Sequence, residues 1–181
     1  MVKLLGVLFC GLVATLACAQ EIVVVGKTTS RITARVVRTD NLIVTDDQGG
    51  WFDSGLTMRQ LGGWTTPYEV QARLKVVSTT GTFQVRLDAP LVIAHQSKPS
   101  LVFRNATVKL GNEGETPKRL SVGRNTPFRN PVPATAGVDS IGYYVLDVAA
   151  YAPEGTLEDV GGTYRGELSM IFEPVIEMPK S

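Results

Sequence analysis

The sequence predicts an all-β chain folded as an immunoglobulin-like β-sandwich, and three observations lead there. Apolar and polar residues alternate over short runs. No stretch of eleven or more residues keeps a helical period without Gly or Pro, and turn-forming clusters such as "DDQGG", "GNEGETP" and "NPVPATAG" separate the runs. Val70, Ala72, Leu74 and Val76 alternate with Gln71, Arg73 and Lys75, and Phe83, Val85 and Leu87 alternate with Gln84, Arg86 and Asp88. These are half-buried strands joined by "STTGT", a loop with Gly at its turn. "PLVIAH" (90–95), "LVFRNATVKL" (101–110) and "RLSVG" (119–123) continue the series. "IGYYVLDVAAY" (141–151) is apolar on both faces, which predicts a central strand. A closing strand over 163–172 puts Tyr164, Gly166, Leu168, Met170 and Phe172 on one face and Arg165, Glu167 and Ser169 on the other. Residues 111–137, rich in Gly, Pro and Asn, are expected to hold one weak strand and long surface loops.

Residues 1–19 read as a cleaved signal peptide rather than as part of the fold. Lys3 starts them, "LLGVLFCGLVATLA" supplies the apolar run, and "ACA" offers small residues before a cut between Ala19 and Gln20. The run is too short for a membrane anchor. A lipoprotein cut at Cys18 is the rival, but Thr15 stands where such sites take an aliphatic residue. Cleavage removes Cys10 and Cys18, so the exported chain has no disulfide and relies on burial for its stability. It also removes Lys3 from the 18 basic residues, which leaves 17 against 17 acidic ones. A neutral, evenly mixed surface gives no reason to expect nucleic acid or an anionic membrane as partner.

A search for chemistry returns little. His95 is the single histidine, at the end of an apolar run, where a hydrogen-bonded rim residue is the ordinary reading. With no cysteine left, one histidine builds no zinc site without several carboxylates. "TDD" (45–47) with Asp53 lacks the spacing of a calcium loop, and no Gly pair opens a helix that could cradle phosphate. "NAT" (105–107) matches a glycosylation acceptor but lies inside a strand pattern. Trp51, Phe52, Trp64 and Tyr68 could stack on sugar, though burial under a loop explains them as well. The expectation is therefore a non-enzyme with no cofactor and no metal.

The ends of the chain suggest a different role. The closing strand is followed only by "EPVIEMPKS", where Pro174 and Pro179 interrupt ladder hydrogen bonding. If the sandwich lacks its final strand, Tyr164, Leu168, Met170 and Phe172 line a half-open groove, an edge that proteins normally guard. A strand from another molecule would close it. Residues 20–40 hold two strand patterns, 22–25 and 32–37, separated by "GKTTSR". In the second, Ile32, Ala34 and Val36 share a face, while Thr33 and Arg35 share the other. Either pattern could be the donor, or 32–37 could be the first strand of its own sandwich. Exchange between copies is heterologous and builds an open filament.

The layout resembles the major pilins of the CS1 type, the alpha fimbriae of the alternate chaperone–usher pathway. The likeness rests on "ITARVVRTDNLIVTDDQG", "FQVRLDAPLV" and "YVLDVAAYAPEGTLEDVGGTYRGELSMIF", with its G-x-Y-x-G-like ending. The resemblance implies a structural fimbrial subunit that supports adhesion. Its sandwich would lack a final strand and be completed by donor-strand exchange, with 20–40 as donor extension and 41–181 as pilin domain. It implies a periplasmic chaperone, an outer-membrane usher and other copies of the chain as partners, a tip adhesin as a further candidate, and export through the periplasm to the cell surface. It maps the donor strand to Ile32, Ala34 and Val36. It maps the acceptor wall to Tyr164, Leu168, Met170 and Phe172, with Gly166 leaving room for an incoming side chain. Two departures stand out: residues 20–30 precede the donor pattern, and 173–181 extend past the usual end. The alternative is a monomeric secreted β-sandwich that binds a ligand or acts as an adhesin.

Overall fold

The computed structural model describes residues 41–50, 52, 55–63 and 65–175, so the signal segment and the donor candidates Ile32, Ala34 and Val36 lie outside the described residues. Strands dominate. In chain order they are β1 (Leu42–Asp46), β2 (Tyr68–Ser78), β3 (Thr82–Leu87), β4 (Ile93–His95), β5 (Arg104–Asn112), β6 (Lys118–Arg119), β7 (Thr126–Arg129) and β8 (Ser140–Tyr151). A short helix α1 (Leu157–Val160) leads to β9 (Tyr164–Gly166) and β10 (Met170–Pro174). One sheet runs β1-β2-β8-β5-β6, a second β10-β3-β7, and a two-stranded ribbon pairs β4 with β9.

The alternation read from the sequence positions the two main layers. Leu74, Val76, Leu110, Tyr144 and Leu146 from the five-stranded sheet share one buried cluster with Phe83, Val85, Phe128, Met170 and Phe172 from the three-stranded one. β8 is central as expected, antiparallel to β2 from Tyr68↔Ala150 to Ser78↔Ser140 and to β5 on its other side. Its second face is apolar for a different reason than double burial. Ile141, Tyr143 and Tyr151 remain 46%, 38% and 39% exposed, and the Arg73 guanidinium lies 4.2 Å over the Tyr143 ring.

One end of the sandwich, termed the near end, gathers the start of β1, the β2–β3 turn, the β7–β8 loop and the finish of β10. A buried polar network ties it together. Tyr144 Oη donates to Asn130 Oδ1 at 2.9 Å, and Asn130 Nδ2 donates to the carbonyls of Val76 and Ser140 and to Ser140 Oγ. Ser140 Oγ in turn donates to Ser78 O at 2.7 Å. Burial pushes the Tyr144 phenol well above its ordinary range, so it stays a neutral donor. No buried side-chain polar atom among the described residues lacks a partner.

At the far end His95 locks the β4–β9 ribbon. Nδ1 accepts from the backbone N–H groups of Ser97 and Lys98, each at 3.0 Å, which leaves the proton on Nε2, facing Gly161 O. Thr156 caps α1 in a reciprocal pair with Asp159, whose carboxyl is held below its usual range by the Thr156 hydroxyl and N–H. Gly162 adopts φ +148 against the His95 ring, where a methyl group would overlap Nε2. Gly162→Ala should therefore lower stability by about 2 kcal/mol in urea unfolding, whereas Gly114→Ala, with a similarly unusual φ but open space, should cost about half as much.

The closing segment differs from the expected single strand. It forms two strands in different sheets, β9 beside β4 and β10 beside β3, with Glu167–Ser169 connecting them. The stretch 111–137 is likewise more ordered than expected, since β6 and β7 both pair.

Candidate functional site

The sandwich has an open flank. β1 and β10 are the terminal strands of their sheets, and they lie on the same side of the core. Along β10, Asp88 N donates to Ser169 O and Val175 N to Thr82 O, so the odd-numbered residues 169–175 direct their backbone groups toward β3. In an antiparallel ladder the intervening residues must point theirs the other way. The N–H and C=O of Met170 and Phe172 therefore face outward, with no strand beside them among the described residues. Pro174 occupies the next outward position, where its missing N–H costs nothing to β3 and ends the ladder.

β1 repeats the pattern across the seam. Thr79 N donates to Asn41 O, so Asn41, Ile43 and Thr45 face β2 while Leu42 and Val44 present backbone groups outward. Their side chains enter the core cluster, as do those of Met170 and Phe172. Among the described residues the flank is thus a slot with an apolar floor and two rows of backbone groups that no strand pairs. An extended segment with alternate apolar side chains suits it chemically: main chain for the rows, side chains for the floor.

The opposite edge of the three-stranded sheet is closed to such pairing. Pro127 takes an outward position on β7, and Lys118 Nζ donates to its carbonyl at 2.9 Å. An exposed edge there is guarded by proline and lysine. Of the two edges of this sheet among the described residues, the β10 edge has Met170 and Phe172 outward, both able to donate and accept, while the β7 edge begins with Pro127.

The sequence-predicted acceptor residues fall into two groups. Met170 and Phe172 are 1% exposed and sit on the slot, and Leu168 is part-buried against the same cluster. Tyr164 and Gly166 belong to the β4–β9 ribbon instead. The Tyr164 ring packs edge-on against Phe103 and His95, both at 4.9 Å, and its hydroxyl donates to Val160 O. A methyl group on Gly166 would stand 2.6 Å from Val92 O and 2.8 Å from Ile93 Cγ1, so the space beside this glycine is filled by β4 of the same chain. The close approach of two strands explains the glycine, not room for a guest. Sequence reasoning missed Leu42 and Val44, although the alternation of "NLIVTD" was there to find.

No group of His, Cys, Asp and Glu among the described residues could hold a metal ion. No helix among them is long and apolar enough to cross a membrane.

Comparisons with known proteins bear on the family and the fold. A family model described as CS1 type fimbrial major subunit matches residues 28–173. The solved structure of the CooA pilin subunit from enterotoxigenic Escherichia coli superposes with a TM-score of 0.51 at 13% identity, over 75% of this chain and 99% of that one. At that identity the likeness shows the fold alone. No curated protein sequence matches the chain.

Proposed function

The chain belongs to the CS1-type fimbrial major subunits, and from that premise we propose that its copies join by donor-strand exchange through the slot between β1 and β10. It is a structural subunit of a pilus, and its place is the surface fimbrium. The strand that fills the slot comes from residues 32–37 of a neighbouring copy, with Ile32, Ala34 and Val36 pointing into the core and Thr33 and Arg35 outward. The observation that carries this is the pair of outward-facing backbone positions at Met170 and Phe172. Two further facts favour 32–37 over 22–25: the family model reaches back to residue 28, and the segment adjoins β1.

Direction follows from where the arm leaves the domain. Residue 41 stands at the near end, which is also where β10 finishes. A donor running antiparallel to β10 enters the slot at the acceptor's near end and exits at its far end, so near end meets far end along the filament. A parallel donor would bring two near ends together and crowd the acceptor's own departing arm. Head-to-tail growth selects the antiparallel arrangement.

Before assembly the slot needs a temporary occupant, because an apolar floor under unpaired backbone invites aggregation. A periplasmic chaperone fills that role in this reading, and an outer-membrane usher exchanges it for the next subunit's arm. Residues 1–19 direct export and are cut away between Ala19 and Gln20. Expression of residues 41–181 alone tests the scheme. It should give aggregates, and a peptide spanning residues 20–38 should keep the domain soluble and monomeric in size-exclusion chromatography. A soluble monomer without the peptide would refute the reading.

A further inference from the structure

The pattern at residues 22–25 has no role in strand exchange through the slot, and neither has a cavity of about 990 Å³ at the near end. The cavity starts at Val175, the residue after β10, crosses Thr82, and runs past Phe128 and Val132 to Glu113 and Glu115. Val132 is 87% exposed on its rim. We infer that this cavity receives residues 22–25 of the same neighbouring arm whose residues 32–37 fill the slot, which gives each arm two anchors on its acceptor. The inference rests on the antiparallel donor, for only that direction brings the arm's N-terminal end out at the near end, beside Val175.

Two features fit this occupant. Residues 26–31 link the patterns and span about 20 Å when extended, enough to turn from the end of the slot across Thr82 into the cavity. The linker "GKTTSR" is polar and begins with Gly, as a segment crossing an exposed rim should, while "EIVVV" offers branched apolar side chains to Phe128 and Val132. The charged lining of the cavity is mixed, Glu113 and Glu115 with Lys118 and Arg129, and Glu113 already pairs with Arg73, so reach and apolar fit rather than charge select the occupant. The two anchors act on one polymer contact, so the second adds through effective concentration without needing high affinity of its own.

Cysteine pairing tests the placement, because the exported chain carries none. A Val24→Cys, Val132→Cys filament, oxidised, should run as a boiled, thiol-sensitive ladder, while Val24→Cys paired with Gln71→Cys, exposed within β2 and away from both ends, should not. Each single-cysteine variant should give at most a dimer. Deletion of residues 20–30 should leave the unboiled ladder in place but make it dissociate at a lower temperature. Crosslinking to Gln71, or to neither position while the unboiled ladder is intact, would overturn the inference and leave strand exchange standing. Absence of any unboiled ladder from the unaltered chain would overturn both.

Discussion

Ile32→Asp combined with Val36→Asp should abolish polymer: the unboiled sample should run as monomer, where the unaltered chain gives a ladder. In the slot both side chains would meet Leu42, Val44, Met170 and Phe172, a floor with no cation to pair them. An isolated carboxylate buried among apolar side chains costs several kcal/mol, and a loss of about 4 kcal/mol already weakens association about a thousandfold. Thr33→Asp puts the same charge on the outward face and should keep the ladder. The double variant's own slot is untouched, so it should still bind a peptide of residues 30–38. That combination separates loss of the donor from loss of fold. A ladder of ordinary strength from the double variant would show that 32–37 is not the inserted strand.

Asn130→Ala should be the most destabilising single change outside the apolar core, by roughly 3 kcal/mol, or about 10 °C in the unfolding midpoint of the peptide-completed domain. Asn130 is 3% exposed and is the hub of the near-end network, giving three hydrogen bonds through Nδ2 and accepting one at Oδ1. Its removal strands the Tyr144 hydroxyl in a site water reaches poorly and takes the second of two bonds from the Val76 carbonyl, which keeps its ladder partner Gly142. Tyr144→Phe deletes one of those bonds and leaves only Oδ1 unpaired, so about 1–2 kcal/mol is expected. The ranking matters because this network fixes the β7–β8 loop beside the cavity rim. Equal losses from the two variants would mean that the amide's other bonds contribute nothing.

The sequence made the sandwich legible where a single period governs a whole strand. β2, β3 and β8 announce themselves by alternation, and the central place of β8 followed from apolar residues on both faces, even though one of those faces stays part-exposed. The closing segment was misread because alternation is blind to a change of sheet. Tyr164 to Phe172 keeps a period of two throughout, yet β9 and β10 serve different partners. Gly166 is the clue, since a glycine in an apolar row signals close backbone approach as readily as a vacancy. β7 stayed hidden because Pro127 argues against a strand, and only the pairing shows that it occupies an outward edge position. At the site, the sequence pointed to Met170 and Phe172 through their face. That their backbone groups also face outward depends on hydrogen-bond parity with β3, which side-chain patterning does not encode.

Amide hydrogen exchange at Met170 and Phe172 probes the incomplete sheet most directly. In a brief labelling pulse straight after the donor peptide is diluted away, before the domain aggregates, these two N–H groups should exchange rapidly beside protected neighbours at Ile171 and Glu173, and in the filament all four should be protected. Slow exchange at both positions in the isolated monomer would mean that the chain completes its own sheet, and assembly by a borrowed strand would be contradicted.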